Sequence, residues 1–262
     1  MTTWLRADHP LLVAHRGWRA HAPEQTMVAF EAAIAHGAEM IEADALLTRD
    51  GRLALMHDTE VDRTTDGHGL VSDLTWDEIA ALDAGSWFDA AFAGLRVPRA
   101  EDLLALARDA GISVCLEAKG ETPAETTRVA VALATLISES GATDWAFVSS
   151  FDHAALQAAR MVVDGLLLAP ERLPQYGPQV AEETLRQAVA LGAPVIQHRW
   201  ELIEPDVVQT LHDHGVAIWA WNTNDEQSVD VALRLGVDGV IGDDIDLLVQ
   251  GREALDPGRE RR

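Results

Sequence analysis

The chain predicts an α/β fold, a (β/α)8 TIM barrel with a small insertion after its second strand. Three observations lead there. Short apolar runs alternate with segments of helical spacing up to a last helix near Asp244. Setting aside one returning hairpin arm leaves eight candidate parallel strands in 262 residues, each with a helix after it. Glycines stand where helix C-caps belong, at Gly111, Gly141, Gly192, Gly215 and Gly236. Polar residues gather at the C-terminal ends of the apolar runs, the end at which such a barrel carries its chemistry.

Taken in order, Leu11 to Ala14 reads as a buried strand. Glu24 to His36 carries Met27, Phe30, Ala33 and Ile34 at helical spacing, and Gly37 ends that helix. Met40 to Leu47 is the second strand, Asp50-Gly51 signals a two-residue hairpin, and Leu53 to His57 returns antiparallel. With that loop Arg49 faces Arg52, and counting back places Asp44 opposite His57, with Glu42 on the same face. Residues 58 to about 97 are turn-rich around a short helix at Thr75 to Leu82, capped by Thr75 and Glu78. They read as an insertion over one end of a single barrel domain spanning 1–262. Helices follow at Ala100–Ala110, Ala124–Ser140, Asp152–Met161, Gln179–Leu191, Pro205–His214 and Asp225–Leu235. The strands between and after them are Ser113–Lys119, Trp145–Ser149, Gly165–Ala169, Pro194–His198, Ala217–Trp221 and Gly239–Ile241.

Composition narrows the function. Hydrophobic residues at 48% and charged residues at 24% are ordinary for a globular protein, whereas a net charge of −23 is not. That charge argues against nucleic acid or an anionic membrane as the partner. For an anionic substrate, local cations must reverse the field, and a bound divalent metal does so. Cys115 is the only cysteine, so no intrachain disulfide can form and a reducing compartment is expected. Met1 to Arg6 lacks signal-peptide character and no apolar run reaches membrane-spanning length. The expectation is a cytoplasmic protein without a stable membrane anchor; composition leaves its oligomeric state open.

The strand ends carry the chemistry. Glu42, Asp44 and Glu117 are three carboxylates that suit a hard divalent cation, Mg2+ or Ca2+, and no Cys/His cluster offers a zinc-like set. The competing reading is a structural ion-pair network with Arg16 and Lys119, the chain's only lysine. His15 and His57 suit acid–base work near neutral pH. The other histidines read as loop or helix-face residues, except His21 and His198, which stand nearer the strand ends. Arg16 and Lys119 supply the positive charge that a phosphodiester needs. Trp221 and His198, each at a strand end, are candidate pocket walls.

These residues occur within longer motifs. His15-Arg16-Gly17, Pro23-Glu24-Gln25-Thr26 with Ala29-Phe30, Ile41-Glu42-Ala43-Asp44 and Thr48-Arg49-Asp50-Gly51 come first. His57-Asp58 with Arg63-Thr64-Thr65, Gly67-x-Gly69, Leu82-Asp83-Ala84-Gly85, Leu116-Glu117-Ala118-Lys119 and Trp221-Asn222 follow in order. As a set they make the chain resemble the glycerophosphodiester phosphodiesterases over nearly its whole length. The resemblance implies a (β/α)8 barrel with an insertion after the second strand, and hydrolysis of a small-molecule glycerophosphodiester to sn-glycerol 3-phosphate and an alcohol. It implies His15 and His57 as the acid–base pair, Glu42, Asp44 and Glu117 as metal ligands, and Arg16 and Lys119 on the phosphate. The chain departs from the family at Gln25, where Asn is usual, at Arg99-Ala100 in place of Thr-Leu, and at Gly242 and Ile245, where Thr and Pro are frequent. A lost hydroxyl at Gly242 and a changed pocket floor are expected to bear on the substrate. The alternatives are the same chemistry on a sugar phosphodiester or lysophospholipid headgroup, a metal-dependent barrel lyase, or a non-catalytic binding module.

Overall fold

A computed structural model describes residues 9–178 and 180–255. The stretch Met1 to Arg6, the charged tail Arg259 to Arg262 and Gln179, where a helix was expected to open, lie outside the described residues. The strands are β1 (Leu11–His15), β2 (Met40–Leu47), β3 (Leu53–Leu55), β4 (Ser113–Ala118), β5 (Ala146–Ser149), β6 (Leu167–Leu168), β7 (Val195–Arg199), β8 (Ala217–Trp221) and β9 (Gly239–Gly242). The helices are α1 (Met27–Ala35), α2 (Trp76–Ala80), α3 (Ala100–Ala110), α4 (Pro123–Glu139), α5 (His153–Val162), α6 (Ala181–Leu191), α7 (Pro205–Asp213), α8 (Glu226–Leu235) and α9 (Ile245–Leu255).

Local signals set these limits. Thr26 caps α1 by accepting from the Ala29 amide, so the helix starts at Met27 and Glu24 stays in the preceding loop. Gly111, Gly192 and Gly236 close their helices in the left-handed conformation. β6 is shorter than expected, because Gly165 turns at φ 74° before it and Pro170 after it has no N–H to donate.

The strands pair in the order β6-β5-β4-β2-β1-β9-β8-β7, all parallel, while β3 hangs antiparallel from β2. The remaining seam between β6 and β7 is drawn together by a bridge from Glu171 to Gln197. There the Gln197 amide donates to Pro170 O at 2.8 Å and the Arg172 amide to Gln197 O at 2.8 Å. The result is a nearly closed eight-stranded parallel barrel with helices outside it. Among the described residues no helix is long and apolar enough to cross a membrane.

Period-2 alternation divides the core in two. Leu12, Ala14, Ile41, Ala43, Val114 and Leu116 point outward and pack beneath the helices. Leu11, Val13, Met40, Cys115, Phe147, Val195, Trp219 and Ile241 point inward and plug the barrel. The same inward parity, carried on along the strands, brings His15, Glu42, Asp44, Glu117, Gln197 and Trp221 to the C-terminal rim.

The hairpin register corrects the sequence expectation. Ala45 pairs with Leu55, Leu46 with Ala54 and Leu47 with Leu53. The loop is therefore Arg49-Asp50-Gly51, three residues with Gly51 at φ 78°. The Thr48 hydroxyl supports it by donating to Asp50 Oδ1 at 2.7 Å and accepting from the Arg52 amide at 2.9 Å. Asp44 consequently lies opposite Met56, whose amide donates to Asp44 O at 3.0 Å. His57 follows β3 in coil. Behind the hairpin, Leu46, Ala54 and Met56 share a small separate core with Val61, Val71, Ile79, Ala84 and Val97, which anchors segment 58–97. The expected capping box of Thr75 and Glu78 is present at α2.

Gly242 and Ile245 were expected to alter a pocket floor, and the structure puts neither on it. Ile245 is fully buried in the helix-side core, and the residue of β9 that lines the cleft is Ile241. A Cβ on Gly242 would sit 2.4 Å from the carbonyl oxygen of Thr223, so backbone proximity requires glycine here. Gly242→Thr is expected to lower the melting temperature by roughly 3–10 °C, from about 1–3 kcal/mol of overpacking. Thermal melts read this directly, and an unchanged midpoint would show that the strand end can move aside.

Candidate active site

A cleft of about 530 Å³, open mouth included, occupies the C-terminal face and is lined by His15, Arg16, Glu42, His57, Glu117, Lys119, Phe151, Glu171, Gln197, Trp221, Asn222 and Ile241. Strand register assembles its acidic side. His15 on β1 neighbours Glu42 on β2, and Asp44 neighbours Glu117 on β4. One carboxylate oxygen from each of Glu42, Asp44 and Glu117 lies within 4.8 Å of the others. Burial pushes the Glu42 carboxyl well above the usual range, with the charges of Asp44 and Glu117 adding to it. Burial, and then Asp44, raises Glu117 to about 7 against the pull of Lys119. Asp44 feels the same burial, yet Lys119 and Arg16 hold its pKa below the ordinary value. Lys119 Nζ lies 3.2 Å from Asp44 Oδ1 and 2.9 Å from Glu117 Oε1, and Arg16 Nε lies 3.0 Å from Asp44 Oδ2.

These residues fit a hard divalent ion. The donors are all carboxylate oxygens, they converge, and buried Glu42 Oε2 has no hydrogen-bond partner in the protein.

The loop after β1 aims the cations inward. Arg16 (φ 57°) and Gln25 (φ 58°) both occupy the left-handed region, which is costly for side chains of this kind. The Gln25 amide donates to Arg16 O at 3.1 Å, which ties the two turns together. Gln25 Nε2 then donates to Asp44 Oδ2 at 2.8 Å. Gly17 (φ 84°) allows the approach, since a Cβ there would meet Ala29 at 2.8 Å. The family's usual Asn at position 25 has a physical basis in this conformation, which Asn adopts more readily than Gln.

Each cleft histidine has a carboxylate behind it. His15 Nδ1 is 2.6 Å from Asp243 Oδ1, and its Nε2 faces Glu42 at 3.9 Å. His57 Nδ1 is 2.6 Å from Asp58 Oδ1. A carboxylate at Nδ1 fixes the proton there and leaves Nε2 free for a substrate. The hydrogen bond from Arg63, with His57 beside it, holds Asp58 at a pKa of about 2. Burial lowers the His57 pKa from its ordinary value.

The rest of the lining combines the apolar Phe151, Trp221 and Ile241 with the polar Glu171, Gln197 and Asn222. Phe151 and Trp221 meet edge to face at 6.0 Å. Between β6 and β7 lies Glu171, buried and unpartnered at Oε2, with its pKa pushed well up by burial and then by Glu117. His198, expected as a wall, does not line the cleft. Its neighbour Gln197 points inward, so His198 turns to the helix side, where it is 2% exposed. Trp221 does line the cleft, whereas Trp219 belongs to the barrel plug.

Sequence reasoning left several residues here without a role. Glu24, Gln25, Asp58 and Arg63 stood inside recognised motifs, and only tertiary contacts reveal their partners. Asp243 follows the last apolar run directly, so an acid at a strand end was a usable signal. Glu171 lies beyond Pro170, outside the expected strand, where nothing marked it.

Residues 15–247 match the model of the glycerophosphoryl diester phosphodiesterase family. The chain is 33% identical to a glycerophosphodiester phosphodiesterase of Caldanaerobacter subterraneus over 91% of this chain and 96% of the relative. It is 32% identical to one of Bacillus altitudinis over 93% and 98%. Its structure is similar to the glycerophosphodiester phosphodiesterase of Agrobacterium tumefaciens, at 27% identity and a TM-score of 0.79 over 92% of this chain and 99% of that one.

Buried His198 gives the fold a pH dependence of calculable sign. Burial, with Arg172 and Arg199 nearby, lowers its pKa from 6.5 to about 4. Between those values the unfolded chain binds more protons than the native one, so stability is complete above the unfolded pKa and is lost as pH falls toward 4. The contribution is about 3 kcal/mol. Urea melts at pH 7 and pH 4.5 should show most of that loss in the wild type and much less in His198→Asn. Equal losses in the two would refute the assignment.

Proposed function

The chain belongs to the glycerophosphoryl diester phosphodiesterase family, and we propose that it hydrolyses glycerophosphodiesters to sn-glycerol 3-phosphate and an alcohol through the residues gathered at the barrel rim. The observation that carries the reading is the convergence of two carboxylate-backed histidines on one acidic cluster flanked by Arg16 and Lys119. Glu42, Asp44 and Glu117 would hold a divalent ion, Mg2+ or Ca2+, which when bound supplies charge against the phosphoryl oxygens.

Arg16 and Lys119 bind the remaining phosphoryl charge, and both stay protonated because carboxylates surround them. One histidine takes a proton from the nucleophile at Nε2, while the other protonates the departing alkoxide from Nε2. Asp243 and Asp58 keep each ring in the required tautomer and stabilise the imidazolium form. Phe151 and Trp221 give the organic arms an apolar wall. In this reading residues 58–97 brace the hairpin that bears Asp44 and leads to His57, and the whole chain works as one barrel domain. The substrate is a small molecule, and the acidic surface disfavours nucleic acid and anionic membranes. With Cys115 as the only cysteine, a cytoplasmic setting is consistent with the sequence.

His15→Ala and His57→Ala are each expected to lose roughly 10²–10⁴-fold in kcat while melting like the wild type. Near-full activity in either would remove it from the acid–base pair. Chelation should abolish release of sn-glycerol 3-phosphate, and separate addition of Mg2+ and Ca2+ across several headgroups should identify the ion and the preferred alcohol. Activity that survives exhaustive chelation would refute the metal assignment. A cyclic phosphate among the products would identify the substrate's own hydroxyl as the nucleophile, and its absence on rapid quenching would favour water.

A further inference from the structure

We propose that Glu24 is the positioning residue shared by both histidines: one buried carboxylate that braces His15 through Arg19 and Asp243, and His57 through Arg63 and Asp58. The proposal rests on the assignment of His15 and His57 as the acid–base pair.

Glu24 lies in the loop between β1 and α1, is 4% exposed, and does not line the cleft. Three guanidinium groups nevertheless converge on it. Its Oε1 accepts from Arg63 Nη2 at 2.8 Å and from Arg16 Nη1 at 3.1 Å. Its Oε2 accepts from Arg63 Nη1 at 3.1 Å and lies 3.1 Å from Arg19 Nη2. Burial alone would raise the carboxyl, and the arginines hold it below its ordinary pKa.

The arms then diverge. Arg63 is gripped on a second edge by Asp58, with Nε at 2.5 Å and Nη2 at 3.2 Å. A planar guanidinium engaged on two edges by two carboxylates has little freedom left, so Asp58 is fixed relative to Glu24. Asp58 Oδ1, which accepts from Arg63 Nη2, also meets His57 Nδ1. On the opposite side Arg19 Nη1 lies 3.7 Å from Asp243 Oδ2, and Asn224 Nδ2 donates to that same oxygen at 3.0 Å. Asp243 Oδ1 in turn meets His15 Nδ1. The two histidines come from chain segments about forty residues apart, yet a single side chain reaches the carboxylates behind both, each through one arginine. Charge is needed as well as shape. Without a carboxylate, three cations would crowd one buried point, and a carboxamide would turn its own N–H donors toward them. The third arm, through Arg16, reaches the phosphate side and Asp44.

The test uses Glu24→Gln, Glu24→Asp, Arg19→Ala/Arg63→Ala, and the triple variant that adds Glu24→Gln to that pair, all metal-loaded and checked by thermal melts. Displacing both histidines should lower kcat about 10²-fold in Glu24→Gln, while KM rises through the Arg16 arm. The double arginine variant should lower kcat by a similar factor with KM within about threefold, because its Arg16 arm remains. In the triple variant kcat should fall no further than about threefold, while KM rises as in Glu24→Gln. Glu24→Asp, which keeps the charge, should recover at least tenfold in kcat over Glu24→Gln. Wild-type kcat in Glu24→Gln, or a full 10²-fold further loss in the triple variant, would overturn the brace. Active His15→Ala or His57→Ala enzyme would instead overturn the underlying assignment, whatever the Glu24 variants do.

Discussion

Everything at the barrel rim depends on compensating buried negative charge. Glu24, Glu42, Asp44 and Glu117 are each less than a tenth exposed; the last three converge, and Arg16 joins Glu24 to Asp44. Anionic side chains cannot share such a site unaided, because burial and mutual repulsion both favour the neutral form. The chain answers with its only lysine, placed just after β4, and with arginines delivered from two segments, the loop after β1 and the insertion. Asp44 receives two cations and stays ionised. Glu42 receives less and is driven toward protonation, and its Oε2 is left without a hydrogen-bond partner. The residual negative character that a divalent ion would neutralise is therefore a property of how few cations were placed there. A chain of net charge −23 can in this way hold an anionic substrate, since the local field and not the global one meets it.

The barrel makes that arrangement possible by repetition. On each strand, alternate residues point inward, and the parallel registers align corresponding positions around the ring. Leu11, Val13 and His15 on one strand, and Cys115 and Glu117 on another, follow one rule: apolar below, functional at the rim. The apolar plug of Phe147, Trp219 and their neighbours fills the barrel beneath the cleft, which it meets at Ile241, and keeps water from reaching the acids from below. The contrast between Gln197 and His198 comes from the same rule. Adjacent residues of similar polarity receive opposite environments, one in the cleft and one under the helices.

Backbone constraint does the remaining placement. Arg16 and Gln25 adopt left-handed conformations that neither residue favours, and the hydrogen bond between them makes each turn support the other. The local cost is offset where both side chains reach Asp44. Gly242 illustrates the reverse case. Its departure from the family pattern suggested a lost hydroxyl in the pocket, but the position is filled by the Thr223 carbonyl and the change concerns packing.

The sequence alone determined the barrel, its order of elements, the acids and histidines at the strand ends, and the chemistry they suit. Those features are written in local periodicity, in glycine caps and in residue type, which short stretches of chain carry by themselves. Only the tertiary structure decided the pairing of Asp44 with Met56, the outward turn of His198, the burial of Glu171 at the seam between β6 and β7, and the convergence of three arginines on Glu24. The hairpin register turned on whether the loop used two residues or three, a choice made by the Thr48 hydroxyl and the φ of Gly51. Contacts such as Asp243 with His15 join residues more than two hundred positions apart, and no local pattern encodes which strand end a closed barrel will set beside another. The stretch from Leu11 to His57 therefore announced the site, while the residues that hold its histidines in place became visible only once the ring had closed.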